Sequence, residues 1–305
     1  MRKWYVLLVI LAICFIGLAT LFFNNSYKLS THGSRSMLPN GGYLVWTQCW
    51  FDVPSNTSIE CAKFHTAPQE KGGDSDYVLP VVVLHYTGLD RKKDPVLYMA
   101  GGPGSSAGLD KDRIINYWTK WFRLIDFKRD LILFDQRGTG LSEPNLSCSS
   151  YNKVIKESLF ETLAPESKVS IFRTAMNDCY EKMKKEGVPV DQLSTLNSAA
   201  DVRDLMDALH YEKWNLFGVS YSTRLAMVIE NQYPERVRTL LLDSVYPISQ
   251  HFFRDWPMLL NSSLQRLFAF CKSDYQCRSD YSDLESLFWE TMASLRKKPF
   301  HVELP

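Results

Sequence analysis

The stretch Asn215–Val237, NLFGVSYSTRLAMVIENQYPERV, starts as a short apolar run, reaches a glycine, passes one serine and enters a helical pattern without a pause. A short apolar run bounded by a turn signal suits a buried strand, and STRLAMVIENQ places apolar residues at helical spacing. Ser220 therefore stands at the corner between a strand and a helix. Such a tight corner strains the serine backbone, pushes its hydroxyl outward and crowds the positions two before and two after it. Gly218 meets that size limit. Ser222 stands where the familiar G-x-S-x-G pattern has its last glycine, and reads as the next small choice after alanine. The pentapeptide alone is a weak signal, because a helix-capping serine after a strand looks the same. Its surroundings have to decide.

Working outward, "DPVLYMAGGPG" is an apolar run that breaks into a glycine-rich loop, and "RDLILFDQRG" reads as a buried strand. "IINYWTKWFRLI", "SKVSIFRTAMNDCYEKMKKEG" and "LNSAADVRDLMDALHY" read as helices, the last capped by Asn197 or Ser198. "KWNLFG", "STRLAMVIENQYP" and "VRTLLLDSVYP" continue as strand, helix and strand. This alternation predicts a parallel sheet covered on both faces. Before it, "YLVWTQCWFDVP", "IECAKFHTAP" and "YVLPVVVLHYTG" read as antiparallel opening strands. After Pro247 the pattern turns purely helical, and "FHVELP" at the end resembles the start of another strand. The predicted organisation is a polar linker over 24–42, the main α/β part over 43–247 and an incomplete helical piece over 248–305.

Charge excludes some partners. With 35 Lys and Arg against 34 Asp and Glu there is no basic stripe, so a nucleic-acid partner is not expected. No C-x-x-C pair or Cys/His cluster points to a metal, and no phosphate-cradling G-x-x-x-x-G-K-[ST] points to a nucleotide cofactor. Residues 1–23 differ from the rest: Arg2 and Lys3 precede an apolar run from Trp4 to Phe23. About 20 such residues span a bilayer's hydrocarbon core. Without a clean A-x-A-like exit, the segment reads as an uncleaved signal anchor, with a cleaved signal peptide as the alternative. Either sends the remainder across the membrane, giving an anchored protein facing the periplasm or exterior, or a secreted one. Six cysteines follow the apolar run. An even number in an exported chain suggests disulfides, and although fifteen pairings are open, proximity favours Cys49–Cys61, Cys148–Cys179 and Cys271–Cys277.

The chemistry expected of Ser220 is nucleophilic. Acyl transfer needs two backbone N–H groups aimed at the oxygen that gains charge. Tyr221, the residue after the serine, would supply one, and Gly102 of the loop Met99–Ser106 (MAGGPGSS) the other, since Pro103 has no N–H. Asp135 and Arg137 in "DQRGTGLSEP" read as a buried structural pair that holds the loops beneath the site.

The pieces "GGPGSS", "DQRGTGLS", "NSAADVRDLMDAL", "FGVSYSTRLA" and "YPERVRTLLLDSVYP" resemble, in order and spacing, the α/β-hydrolase serine peptidases of the prolyl aminopeptidase and tripeptidyl aminopeptidase type. Ala100 departs from that family's H-G-G-P-G pattern. The resemblance implies an α/β-hydrolase sheet with a helical cap, hydrolysis near a peptide N-terminus through an acyl-enzyme on Ser220, and a peptide or small amide or ester as substrate. A serine needs a base and an orienting carboxylate, and in this fold they follow it in the order acid, then histidine. After Ser220 only His251 and His301 remain, with Asp274, Asp280 and Asp283 as candidate acids and no strand pattern to carry them. The expectation is therefore that the last strands, the acid and the histidine lie past Pro305. Two rival readings stay open: an esterase or lipase-like hydrolase, and a non-catalytic remnant. Nothing in the sequence indicates an oligomeric state.

Overall fold

A computed structural model describes residues 30–68, 77–161, 163–298 and 300. The chain divides into two compact units, Met1–Pro247 and Ile248–Pro305. The first is built on one eight-stranded sheet of order β1-β2-β3-β4-β6-β5-β7-β8. Its strands are β1 (Arg35–Met37), β2 (Tyr43–Thr47), β3 (Ile59–His65), β4 (Val78–Leu84), β5 (Val96–Met99), β6 (Leu131–Phe134), β7 (Trp214–Val219) and β8 (Val237–Asp243). The first four run antiparallel to their neighbours, and β4 meets β6 the same way. β5, β6, β7 and β8 are mutually parallel. This is the expected mixed α/β sheet. Part of the stretch read as a tether is strand, since Arg35–Met37 pairs with Tyr43–Val45.

The period of two along each strand sorts the core. Leu79, Val81 and Val83 of β4, with Ile132 and Phe134 of β6, join one buried cluster with Leu205, Leu225 and Ile229 from the helices Thr195–Ala208 and Tyr221–Gln232. Val82, Leu84, Leu131 and Leu133 face the other way, onto Ile114 and Trp118 of the helical stretch 111–125. Central strands buried on both sides read as continuous Val/Leu/Ile runs for this reason. Each such side chain contributes about 1.5–3 kcal/mol by leaving water.

Two local readings are corrected. The helix Thr195–Ala208 is capped by Ser194, whose Oγ accepts from the Asn197 N–H at 3.1 Å, not by Asn197 or Ser198. A further helix, Ser149–Ser158, precedes the long one at Pro165–Lys185. All three favoured disulfides are present: Cys49–Cys61, Cys148–Cys179 and Cys271–Cys277. The second unit holds the helices Phe252–Ser273, Tyr275–Asp280 and Leu284–Lys297. Among the described residues, no helix is long and apolar enough to cross a membrane. The run Trp4–Phe23 and the segment after Phe300 lie outside the described residues.

At the edge of the sheet away from the C-terminal strand ends sits a buried charge cluster. His85 places Nε2 3.0 Å from Glu60 and Nδ1 3.0 Å from Asp130. Asp130 also accepts from the Tyr211 hydroxyl at 2.8 Å, the Tyr86 N–H at 3.0 Å and Arg91. Burial alone would raise the Asp130 carboxyl, but the His85 contact, Arg91 and Tyr211 together outweigh it and hold it below the ordinary range. A carboxyl held low in the fold contributes stability above its unfolded value, near about 3.9, and loses it as pH falls toward the folded value. Asp130→Asn is expected to lower stability at neutral pH by about 3 kcal/mol. Urea unfolding from about pH 5 to about pH 2 should then show a flatter loss in the variant than in the parent.

Candidate active site

Parallel register sets the strand ends side by side. Met99 of β5 lies opposite Gly218 of β7, and Val219 lies opposite Asp243 of β8. Ser220 comes next, at φ 53° and ψ −117°. For a residue with a Cβ this backbone is strained, by about 1–3 kcal/mol. The surroundings hold it there. Its N–H donates to the Asp243 carbonyl at 2.8 Å, and its carbonyl accepts from the Thr223 N–H at 3.0 Å and the Thr223 Oγ1 at 2.7 Å. Thr223 is in turn fixed by the Tyr246 N–H at 2.8 Å. The residue is exposed and its side chain makes no capping bond to its own helix. The helix Tyr221–Gln232 begins at the next residue, so the corner lies at the positive end of the helix dipole.

The crowding expected around the corner is present. A Cβ at Gly218 would lie 2.3 Å from the Ser222 carbonyl oxygen, a backbone atom that cannot move aside cheaply. A Cβ at Gly101 would lie 2.9 Å from the Val219 carbonyl oxygen and 3.0 Å from the Ser220 Cβ, so the glycine-rich loop lies directly on the corner. Gly102 adopts φ +108°, where a Cβ would be 2.6 Å from the Gly104 nitrogen. Only glycine meets both demands.

Ser222 does more than fit. It is fully buried, and its hydroxyl donates to the carbonyl of Ala100 at the root of the loop. The Gln136 side-chain amide, arriving from the end of β6, donates to the same carbonyl at 2.9 Å and to the Ser222 Oγ at 3.1 Å. One hydroxyl therefore ties the start of the helix after β7 to the ends of β5 and β6. Ala100 and Ser222 both depart from familiar patterns, and they meet.

The reading of Asp135 and Arg137 as partners is corrected. Asp135 accepts from the Ala107 N–H at 2.7 Å, the Ser106 hydroxyl at 2.9 Å and the Leu141 N–H at 2.7 Å. Burial pushes its carboxyl up, against the pull of those donors. Arg137 instead forms a two-pronged pair with Asp201 of the helix Thr195–Ala208, at 2.7 and 2.6 Å. Both carboxylates brace the loops, as a buried charge requires a partner. The histidines preceding the corner lie elsewhere: His65 stacks on Tyr43 at 4.3 Å, His85 sits in the buried cluster and His210 is 3.5 Å from the Ser36 hydroxyl. Asp274 and Asp283 cap helices, accepting from Cys277 at 2.8 Å and Ser286 at 3.2 Å. Gln136, Thr223 and Asp243 escaped the sequence reading, because their roles depend on contacts between distant strands.

A mixed sheet whose parallel strands end in a glycine-rich loop and a strained strand-to-helix serine defines an α/β hydrolase. The alpha/beta hydrolase fold family model matches residues 94–290, and the chain belongs to that family. A tripeptidyl aminopeptidase of Streptomyces lividans is 28% identical over 209 residues, covering 66% of this chain and 38% of that protein. The serine protease Hip1 of Mycobacterium tuberculosis is 25% identical over 220 residues, covering 67% and 39%. The chain thus spans well under half the length of these relatives. A solved epoxide hydrolase A from Mycobacterium thermoresistibile is 19% identical, with a TM-score of 0.35 over 60% of this chain and 41% of that one.

Ser222→Ala removes a donor while leaving the buried Ala100 and Gln136 groups short of a partner, and should lower stability by about 1–3 kcal/mol. Ser222→Gly, which restores the usual pattern, is expected to lose about 1 kcal/mol more through helix propensity. Chemical denaturation of both variants checks the order; a glycine variant as stable as the parent contradicts it.

Proposed function

We propose that this chain carries the nucleophile half of a serine exopeptidase, exported and either membrane-anchored or secreted, that releases residues from peptide N-termini. The observation that carries the reading is the strained, clamped and exposed Ser220 against a glycine-rich loop. Strain of this kind persists only where the surroundings impose it, and it clusters where chemistry needs a group held in one place. The peptidase names of the Streptomyces and Mycobacterium relatives support the substrate class.

In this mechanism the Ser220 Oγ attacks the scissile carbonyl carbon as a base takes its proton. The oxygen gains a charge that the Tyr221 and Gly102 N–H groups stabilise. The intermediate then collapses, the amine leaves with a proton, and water hydrolyses the acyl-enzyme. One such oxyanion donor contributes about 10²–10³ in turnover rate. Gly218 and Ser222 support the corner from behind. The base this mechanism calls for is a histidine oriented by a carboxylate; in this fold both follow the nucleophile in chain order. The helical unit, from Ile248 onward, serves as the start of the cap. The segment before Asn24 serves as signal or anchor, and the three disulfides suit an oxidising compartment. An esterase or lipase-like hydrolase on the same machinery is the second reading, because a serine nucleophile with two backbone donors serves an ester carbonyl as well as an amide one.

A fluorophosphonate probe should label the protein in its natural full length at Ser220 and fail on Ser220→Ala. Aminoacyl arylamides should be cleaved faster than short acyl esters; the reverse preference selects the esterase reading, and absence of labelling rejects both. Ser220→Gly relieves the positive φ and is expected to be at least as stable as the parent in thermal unfolding, while losing all labelling.

A further inference from the structure

Beside the corner lies a cavity of about 690 Å³, wholly within the first unit. Its wall includes Pro103 and Gly104 of the glycine-rich loop and Tyr221, the residue after Ser220, so the cavity adjoins both elements of the corner. The opposite wall comes from the loop after β6, with Gly138 and Gly140, and from Leu193 and Thr195 at the entry to the helix Thr195–Ala208. The volume falls in the range of ordinary ligand pockets, about 300–1,000 Å³.

The charge of this wall is informative. Its sole charged side chain is Arg137, and Asp201 neutralises it through two contacts while the Gln192 carbonyl takes a third at 3.1 Å. Among the described residues, no aspartate or glutamate lines the cavity. A buried ammonium without a counter-ion is strongly disfavoured. The described wall therefore offers the free N-terminus of a peptide no carboxylate partner. What the wall does provide is neutral: main chain bared by the glycines, apolar surface from Leu193, and a hydroxyl pair in which the Thr195 Oγ1 lies 2.8 Å from the Tyr221 hydroxyl. Those groups match an uncharged peptide main chain.

An exopeptidase divides its substrate into an acyl part bearing the ammonium and a leaving part that is neutral main chain at the scissile bond. We propose that this cavity binds the leaving-group side of the peptide, as neutral main chain lying across the Thr195–Tyr221 hydroxyl pair. The assignment rests on the exopeptidase reading and adds a division of labour to it: the ammonium is read elsewhere, and this cavity takes the chain beyond the cleaved bond.

The test uses the full-length protein carrying Ser220→Ala, so that nothing is turned over. Calorimetric titration with N-acetyl-trialanine amide, which has no charge, should give saturable binding. Leu193→Trp, which fills the cavity, should weaken that binding at least tenfold. Ser147→Trp does the same from an exposed position on the rim, and circular dichroism verifies that each variant folds. Alaninamide, with its free ammonium, should be insensitive to both substitutions. Failure of the acetylated peptide to bind, binding unchanged in both folded variants, or alaninamide displaced by them overturns the assignment. Fluorophosphonate labelling of the unsubstituted protein separates this from the underlying reading. A protein that labels at Ser220 but does not bind the acetylated peptide refutes the cavity alone, whereas one that does not label refutes both.

Discussion

The hydroxyl of Ser222 is the constraint on which the site depends. It is buried beneath the corner, it donates to the carbonyl of Ala100, and Gln136 closes the triangle on both. Ala100 and Gln136 follow the ends of β5 and β6, and Ser222 lies in the first turn of the helix that follows β7. A net stabilisation of about 1 kcal/mol per hydrogen bond is modest, but an unmet buried polar group is penalised more heavily, so the triangle behaves as a unit. By fixing Ala100 it fixes the residue that follows, Gly101, against the Val219 carbonyl and the Ser220 Cβ. The distance between the loop and the corner is thus set from below, by residues that never meet a substrate.

Around that node the structure holds a conformation the chain would otherwise avoid. The positive φ of Ser220 is held between the Asp243 carbonyl on one side and Thr223 on the other. The parallel alignment of β5, β7 and β8 brings these groups together, and the two apolar clusters on either face of the sheet hold the strands in register. The stability of the core and the strain at the corner are therefore linked. Loosening the strand ends would let the serine relax.

The sheet, the corner and the glycine-rich loop were legible because each is written locally. Strands buried on two faces appear as unbroken apolar runs, the helix after Ser220 keeps a 3.6-residue period, and glycines cluster where backbones approach. The cysteine pairs were legible by nearness. What stayed hidden was non-local. Nothing within "DQRG" says that Arg137 turns to Asp201, sixty-odd residues on, instead of to its neighbour Asp135. Ser222 passed for a small filler because its acceptor, Ala100, is 122 residues away. The cap of the helix Thr195–Ala208 was misplaced by only a few residues, at a boundary where serines and an asparagine compete.

The disulfide pattern has a consequence for how the chain is made. The six cysteines downstream of the apolar run pair strictly in order, with separations of 12, 31 and 6 residues. A polypeptide threading through a membrane pore releases its thiols one after another, and here each even-numbered thiol finds its native mate as the one just released before it. For a chain that emerges N-terminus first into an oxidising compartment, pairing in order of appearance matches this set.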